Sequence, residues 1–130
     1  MTSGIILHVE DNPSNRKLVR DLLATRGYLL VEAETGEEAL VLAERERPRL
    51  VLMDLELPTI SGLAVTERLR AHPELGRVPI VAVTALAFRA DVERAKAAGC
   101  DAVLTKPYDP MELLRLVERY IGPPPAEGAE

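Results

Sequence analysis

Five short apolar runs, evenly spread along the chain, set the main constraint on its fold. Residues 5–9, 29–31, 50–53, 80–83 and 102–104 are rich in Ile, Val and Leu. Runs this short, without polar alternation, suit strands buried on both faces. The segments between them have helical character. Asn12-Pro13 can cap and open a first helix with an apolar stripe of Leu18, Val19, Leu22 and Leu23, and Gly27 can stop it. Thr35 and Glu38 have capping-box spacing at the head of a second helix through Leu40 and Ala43. Ser61 can cap a third, through Val65 and Leu69, ending near His72-Pro73. A fourth spans about residues 89–98 and stops at Gly99. Asp109, Pro110 and Glu112 combine a cap, a first-turn proline and a capping-box glutamate, opening a helix that carries Leu113, Leu114, Val117 and Ile121.

Strand-helix alternation at this spacing predicts an α/β, (βα)5 fold: a doubly wound, parallel, five-stranded sheet with helices on both faces. The expected strand order is 2-1-3-4-5, flavodoxin-like, with the functional site at the C-terminal edge beside strands 1 and 3. With 130 residues the chain suits one domain, expected over residues 1–121. Residues 122–130, Gly-Pro-Pro-Pro-Ala-Glu-Gly-Ala-Glu, have linker composition and are expected to form a disordered tail.

Composition excludes several function classes. The net charge is −5, and only one Phe and three Tyr are present, without Trp. A nucleic-acid surface needs clustered Lys and Arg, and base stacking needs aromatic platforms. The single cysteine, Cys100, excludes an intrachain disulfide and a cysteine zinc site. The apolar run 79–88, broken by Thr84, falls far short of the roughly 20 residues a membrane span needs. The N-terminus carries no basic segment or cleavage site, so a cytoplasmic protein is expected.

The predicted strand ends bring reactive groups to one edge. Glu10 and Asp11 follow strand 1, Asp54 follows strand 3, Thr84 ends strand 4 and Lys106 follows strand 5. Three carboxylates repel one another unless a proton or a cation joins them. An all-oxygen set without His or Cys selects a hard ion such as Mg²⁺. Thr84 can donate to a phosphoryl oxygen and Lys106 can neutralise another. Asp54, central on strand 3, fits best as a carboxylate nucleophile that forms an aspartyl-phosphate. Taken singly, each of these residues also suits plain capping or turn chemistry; their coincidence at one edge favours the functional reading.

The strings Ile6-Leu7-His8-Val9-Glu10-Asp11-Asn12, Val51-Leu52-Met53-Asp54-Leu55-Glu56-Leu57-Pro58, Ile80-Val81-Ala82-Val83-Thr84-Ala85 and Leu104-Thr105-Lys106-Pro107 resemble the receiver (CheY-like) domain of two-component response regulators. The resemblance covers about residues 4–121. Glu-Asp-Asn at 10–12 followed by Asn15, Ile-Ser-Gly at 60–62 and Gly-Cys at 99–100 look most like single-domain regulators of the DivK type.

The resemblance implies that Asp54 accepts a phosphoryl group from a histidine kinase or histidine phosphotransferase. It implies Mg²⁺ ligation by Asp11 and Asp54, by Glu10 directly or through water, and by the Glu56 backbone carbonyl. Thr84 would move toward the phosphoryl group and Lys106 would pair with it. Small Ala85 would leave the site open, and a cis peptide at Lys106-Pro107 would place the lysine. Output would pass to a protein effector through the face of helix 4, strand 5 and helix 5, including Arg89, Val92, Arg94, Lys96 and Leu104. Intrinsic self-phosphorylation and autodephosphorylation would be the only chemistry, so the chain is expected not to be an enzyme in the ordinary sense.

Some positions depart from the family's pattern. Val103 stands where many relatives carry a ring that swings inward, so the loop at 86–91 is expected to carry the activation change instead. His8 replaces an aliphatic residue and is expected to be a neutral core histidine hydrogen-bonded inside, against a pH-sensitive group near the site. Glu56 is expected to be exposed, with Leu86 as the matching position across the pocket; Glu56 either orients water or adds negative charge. Asn15 faces the pocket mouth or solvent. His72 is expected at a surface helix end and Cys100 in the core.

Other readings remain. A stand-alone receiver is favoured by the Met1 start and acidic ending. A receiver excised from a hybrid kinase or multidomain regulator is the alternative. A Mg²⁺-dependent small-molecule phosphatase using Asp54 lacks a substrate-holding cap. A degenerate, never phosphorylated receiver is opposed by the complete acidic set, threonine and lysine.

Overall fold

The computed structural model describes residues 4–85 and 88–123. Five strands and five helices alternate: β1 (Ile5–Val9), α1 (Pro13–Ala24), β2 (Leu29–Ala33), α2 (Gly36–Glu46), β3 (Leu50–Asp54), α3 (Gly62–Ala71), β4 (Ile80–Thr84), α4 (Arg89–Ala98), β5 (Ala102–Thr105) and α5 (Pro110–Ile121). All pairings are parallel and the order is β2-β1-β3-β4-β5. The strand order read from the sequence is the one observed. Strand β1 coincides with its apolar run and the other strands extend one or two residues past theirs, so Asp54 closes β3 instead of following it, while Thr84 ends β4 as expected.

Period-two alternation divides the core between the two faces of the sheet. Leu7, Val9, Val51, Met53 and Ala82 pack against α2, α3 and α4. Ile6, Leu50, Leu52, Val81, Val83 and Leu104 pack against α1 and α5. The expected stripe on α1 holds for Val19 and Leu23, which are buried, but not for Leu18, which is 55% exposed. Leu18 lies on the edge of the stripe nearest the sheet's C-terminal end, and there it lines a cavity instead.

The caps explain where the helices start. Asn12 Oδ1 accepts from Ser14 N at 2.8 Å and Asn15 N at 3.1 Å. Ser61 Oγ accepts from Ala64 N, and Asp109 and Glu112 form a reciprocal capping box. The box expected at α2 is displaced by one residue. Thr35 Oγ1 accepts from Glu38 N, but the Glu38 carboxylate takes the N–H of Glu34, at 2.7 Å. Helix α1 ends at Ala24, and Gly27, at φ +79°, turns the chain toward β2. Gly99, at φ +118°, ends α4.

Leu86, Ala87 and residues 124–130 of the expected tail lie outside the described residues. Among the described residues, no helix is long and apolar enough to cross a membrane.

Candidate functional site

The parallel register brings the last residues of β1, β3, β4 and β5 to one edge. Asp54 pairs with Val83 and Thr84 pairs with Thr105, so carboxylate, hydroxyl and lysine leave adjacent strands at the same level. The β1 ladder extends one residue further, through Glu10 N to Ala33 O at 2.9 Å. The following turn is held from α1: Arg16 Nη1 donates to the carbonyls of Glu10 at 2.9 Å and Asp11 at 3.0 Å. Sequence reasoning missed Arg16; its signal was a long cation one turn into the helix after an acidic turn.

Glu10 and Asp54 are buried and Asp11 is exposed. Carboxylate oxygens of the three lie within 4.8 Å of one another. Lys106 Nζ donates to Glu10 Oε1 at 2.9 Å and to Asp54 Oδ2 at 3.3 Å. Its own N–H donates to Thr84 O at 2.7 Å, and the Lys106-Pro107 peptide is cis. Asp54 Oδ1 accepts from Glu56 N at 2.9 Å. Gly62 passes directly beneath this strand end, its N–H bonded to Leu55 O at 3.1 Å. A Cβ at Gly62 would press on the Asp54 carbonyl and stand 2.8 Å from Leu55 Cα.

The electrostatics follow from crowding. Burial pushes the Asp54 carboxyl up to about 7, helped by Glu10 and opposed by the Glu56 N–H and Lys106. Burial also pushes Glu10 up, but the Lys106 hydrogen bond and charge outweigh it, so its carboxyl lies below its ordinary value. Lys106 is pushed down by burial and, more strongly, up by Glu10 and Asp54. Near neutrality Lys106 and Glu10 therefore form the ion pair, and Asp54 shares its oxygens with a proton. A donor set made only of oxygens, with one carboxyl raised by crowding, fits a hard divalent cation that would relieve the same repulsion.

Two residues have the expected burial but not the expected partners. Glu56 is exposed, yet its carboxylate is engaged: Thr84 Oγ1 donates to Oε2, and Ala85 N donates to Oε1 at 3.2 Å. His8 is buried, but the expected internal hydrogen bond is missing at Nδ1, which finds no partner among the described residues. Burial pushes the His8 pKa down to about 4 against the pull of Glu10 and Glu32.

His8, Glu10, Asn15, Leu18, Lys106 and Tyr108 line a cavity of about 380 Å³ beside the acidic cluster, so half-buried Asn15 opens onto this neighbouring cavity. His72 sits at the end of α3 with Nε2 3.2 Å from Glu44, and Cys100 is buried 3.8 Å from Thr66 Oγ1. On the far side, Val103 is half-buried against the α4-side core, whereas Leu104 is buried under α5. Leu104 therefore does not project from the expected output face. It floors a groove there with Val103, Arg115, Leu116 and Arg119, and Phe88 at the head of α4 is 77% exposed.

Comparison with known proteins agrees with this geometry. The family model for the response regulator receiver domain matches residues 6–118. The polar-differentiation response regulator DivK of Brucella anthropi is 43% identical over 117 residues, covering 90% of this chain and 95% of its own. DivK of Brucella ovis is 42% identical over 122 residues, covering 94% and 98%. Among solved structures, the receiver domain of sensor histidine kinase PA1611 from Pseudomonas aeruginosa PAO1, with a magnesium ion coordinated in its active-site cleft, is 39% identical. It superposes with a TM-score of 0.85 over 93% of this chain and 99% of its own. The chemotaxis protein CheY4 of Vibrio cholerae, 28% identical, superposes with a TM-score of 0.86 over 92% and 99%. With the family matched over nearly its whole length, on a sheet edge that gathers the acidic trio, the threonine and the lysine, the chain belongs to the response regulator receiver domains of two-component systems.

Proposed function

We propose that Asp54 is the phosphoacceptor of this receiver and that its phosphorylation switches partner binding. The observation that carries the reading is the Lys106 ammonium bonded to both Glu10 and Asp54 within a cluster of three carboxylates. An Asp54 oxygen attacks the phosphorus of a phosphohistidine. The P–N bond breaks, the imidazole leaves with the electron pair, and an acyl phosphate forms. Lys106 then offsets the charge on one phosphoryl oxygen, and Thr84 Oγ1 and Ala85 N donate to others. Asp11 and Asp54, Glu10 directly or through water, and the Glu56 carbonyl would hold Mg²⁺, which supplies charge neutralisation at the phosphoryl oxygens. Self-phosphorylation from small acyl phosphates and autodephosphorylation belong to the same site.

The partners are a histidine kinase or histidine phosphotransferase upstream and a protein effector downstream, in the cytoplasm, with no nucleic acid or membrane involved. The groove between β5 and α5 and exposed Phe88 support an effector face on α4, β5 and α5. A stand-alone regulator is supported by the DivK proteins, which are matched over 95 and 98% of their length. The receiver of a hybrid kinase is the second reading, favoured by the likeness to the PA1611 receiver.

Autophosphorylated histidine kinases provide the test. Label is expected to leave a kinase's histidine and appear on the wild-type chain, and not on Asp54→Asn. Equal labelling of Asp54→Asn would overturn the assignment.

A further inference from the structure

Residue 56 is engaged on two sides. Its N–H donates to Asp54 Oδ1 at 2.9 Å. Its carboxylate crosses to the end of β4, where it accepts from Thr84 Oγ1 and from Ala85 N, the latter at 3.2 Å. These are the same two donors that the phosphoacceptor reading gives to the phosphoryl oxygens. A hydroxyl and an amide N–H carry one proton each. Neither can serve a carboxylate and a phosphoryl oxygen fully at once. A carboxylate is also the side chain that most resembles a phosphoryl group as an acceptor, being anionic with paired oxygens.

We infer that the Glu56 carboxylate is an intramolecular stand-in for the phosphoryl group, holding Thr84 and Ala85 in the resting state until a phosphorylated Asp54 displaces it. The inference rests on the phosphoacceptor reading and assigns Glu56 as a positioning residue that acts through Thr84. Burial makes the exchange selective. Thr84 is buried, so its hydroxyl keeps an acceptor in either state. Glu56 is exposed, so its displaced carboxylate returns to water without a desolvation cost. The latch weakens the phosphorylated state relative to the resting one and favours reversal after the phosphoryl group leaves. Plain repulsion between Glu56 and the phosphoryl group acts in the same direction. A test must therefore separate holding Thr84 from carrying charge.

The variants are Glu56→Ala, Glu56→Gln, Thr84→Ala and Glu56→Ala combined with Thr84→Ala. In the metal-free protein, Glu56→Ala is expected to shift the Ala85 amide resonance and speed its hydrogen exchange on the order of tenfold, because the amide loses its acceptor. With Mg²⁺ and beryllofluoride as the phosphoryl analogue, Glu56→Ala is expected to bind about tenfold more tightly than wild type. Glu56→Gln, which keeps one acceptor oxygen, is expected in between. The gain is expected to shrink, to the part carried by the Ala85 N–H, when Thr84 is already alanine, which is the coupling a latch requires. An unchanged affinity in Glu56→Ala, or a gain of equal size without the Thr84 hydroxyl, would overturn the inference alone. A wild type that takes no beryllofluoride would overturn the phosphoacceptor reading and the latch together.

Discussion

The Lys106 ammonium stands 3.3 Å from Asp54 Oδ2, although 52 residues separate them in the chain. The sheet makes this contact. Strand β4 lies between β3 and β5, and the Lys106 N–H bonds to the Thr84 carbonyl at 2.7 Å, which sets where the lysine side chain starts. The ammonium then reaches over β4 to the acidic pocket and takes Glu10 at 2.9 Å as its second partner.

Replacing Lys106 by Met removes the ammonium bonded to both Glu10 and Asp54. The Asp54 carboxyl, already raised to about 7, is expected to titrate higher still, because burial and Glu10 then act unopposed by the ammonium. Carbon NMR of the Asp54 carboxyl reads this directly. A value at or below the wild-type one would contradict the account of the pocket.

Mg²⁺ binding is expected to depend on pH through Asp54. Its carboxyl is raised from 3.8 to about 7, first by burial and then by Glu10. Stability of the metal-free fold gains from that proton; the gain is complete below 3.8 and is lost as pH rises through about 7. A cation must displace the same proton, so Mg²⁺ affinity is expected to fall as pH drops below 7. The slope should approach tenfold per unit, with about one proton released per ion. Calorimetry at pH 6 in buffers of different ionisation heat measures the release. Binding without proton release there would contradict the raised carboxyl.

His8 has the opposite sign. Burial lowers its pKa from 6.5 to about 4, so the unfolded chain takes up a proton before the folded one does. Its contribution to stability is whole above 6.5 and is lost as pH falls toward 4, by roughly 3 kcal/mol in all. Urea unfolding of wild type and His8→Leu at neutral and acid pH isolates the effect, because Asp54 is common to both. The variant is expected to gain on wild type by roughly 2–3 kcal/mol on acidification. A parallel loss in both proteins would refute it.

Gly62 tests how tightly the Asp54 end of β3 is packed. A Cβ there has backbone, not a flexible side chain, in its way: the Asp54 carbonyl and Leu55 Cα. Gly62→Ala is expected to cost roughly 1–3 kcal/mol in urea unfolding and to weaken Mg²⁺ binding by displacing Asp54. A change within about 0.5 kcal/mol, typical of an open surface position, would show the close approach to be relieved cheaply.

The sheet order and helix starts were legible in the sequence because they depend on local signals. Runs such as Val51-Leu52-Met53 declare a doubly covered strand, and Asn12, Ser61 and Asp109 declare caps. The acidic trio, Thr84 and Lys106 were legible for a topological reason: parallel strands in register end at one edge. What escaped depends on side-chain reach between elements. Glu56 to Thr84, Arg16 to the Glu10 and Asp11 carbonyls, and Leu18 turned to a cavity are set by distances that spacing along the chain does not encode. The displaced capping bond at Glu34 is of the same kind, since spacing predicted the glutamate but not which N–H it would take.

Intact-mass analysis of wild type and Asp54→Asn, incubated with acetyl phosphate in the presence and absence of Mg²⁺, shows whether Asp54 takes the phosphoryl group. A single phosphoryl adduct is expected on wild type; it requires Mg²⁺ and does not form on Asp54→Asn. An adduct of equal yield on Asp54→Asn, or none on wild type with Mg²⁺ present, would contradict the assignment of Asp54 as phosphoacceptor.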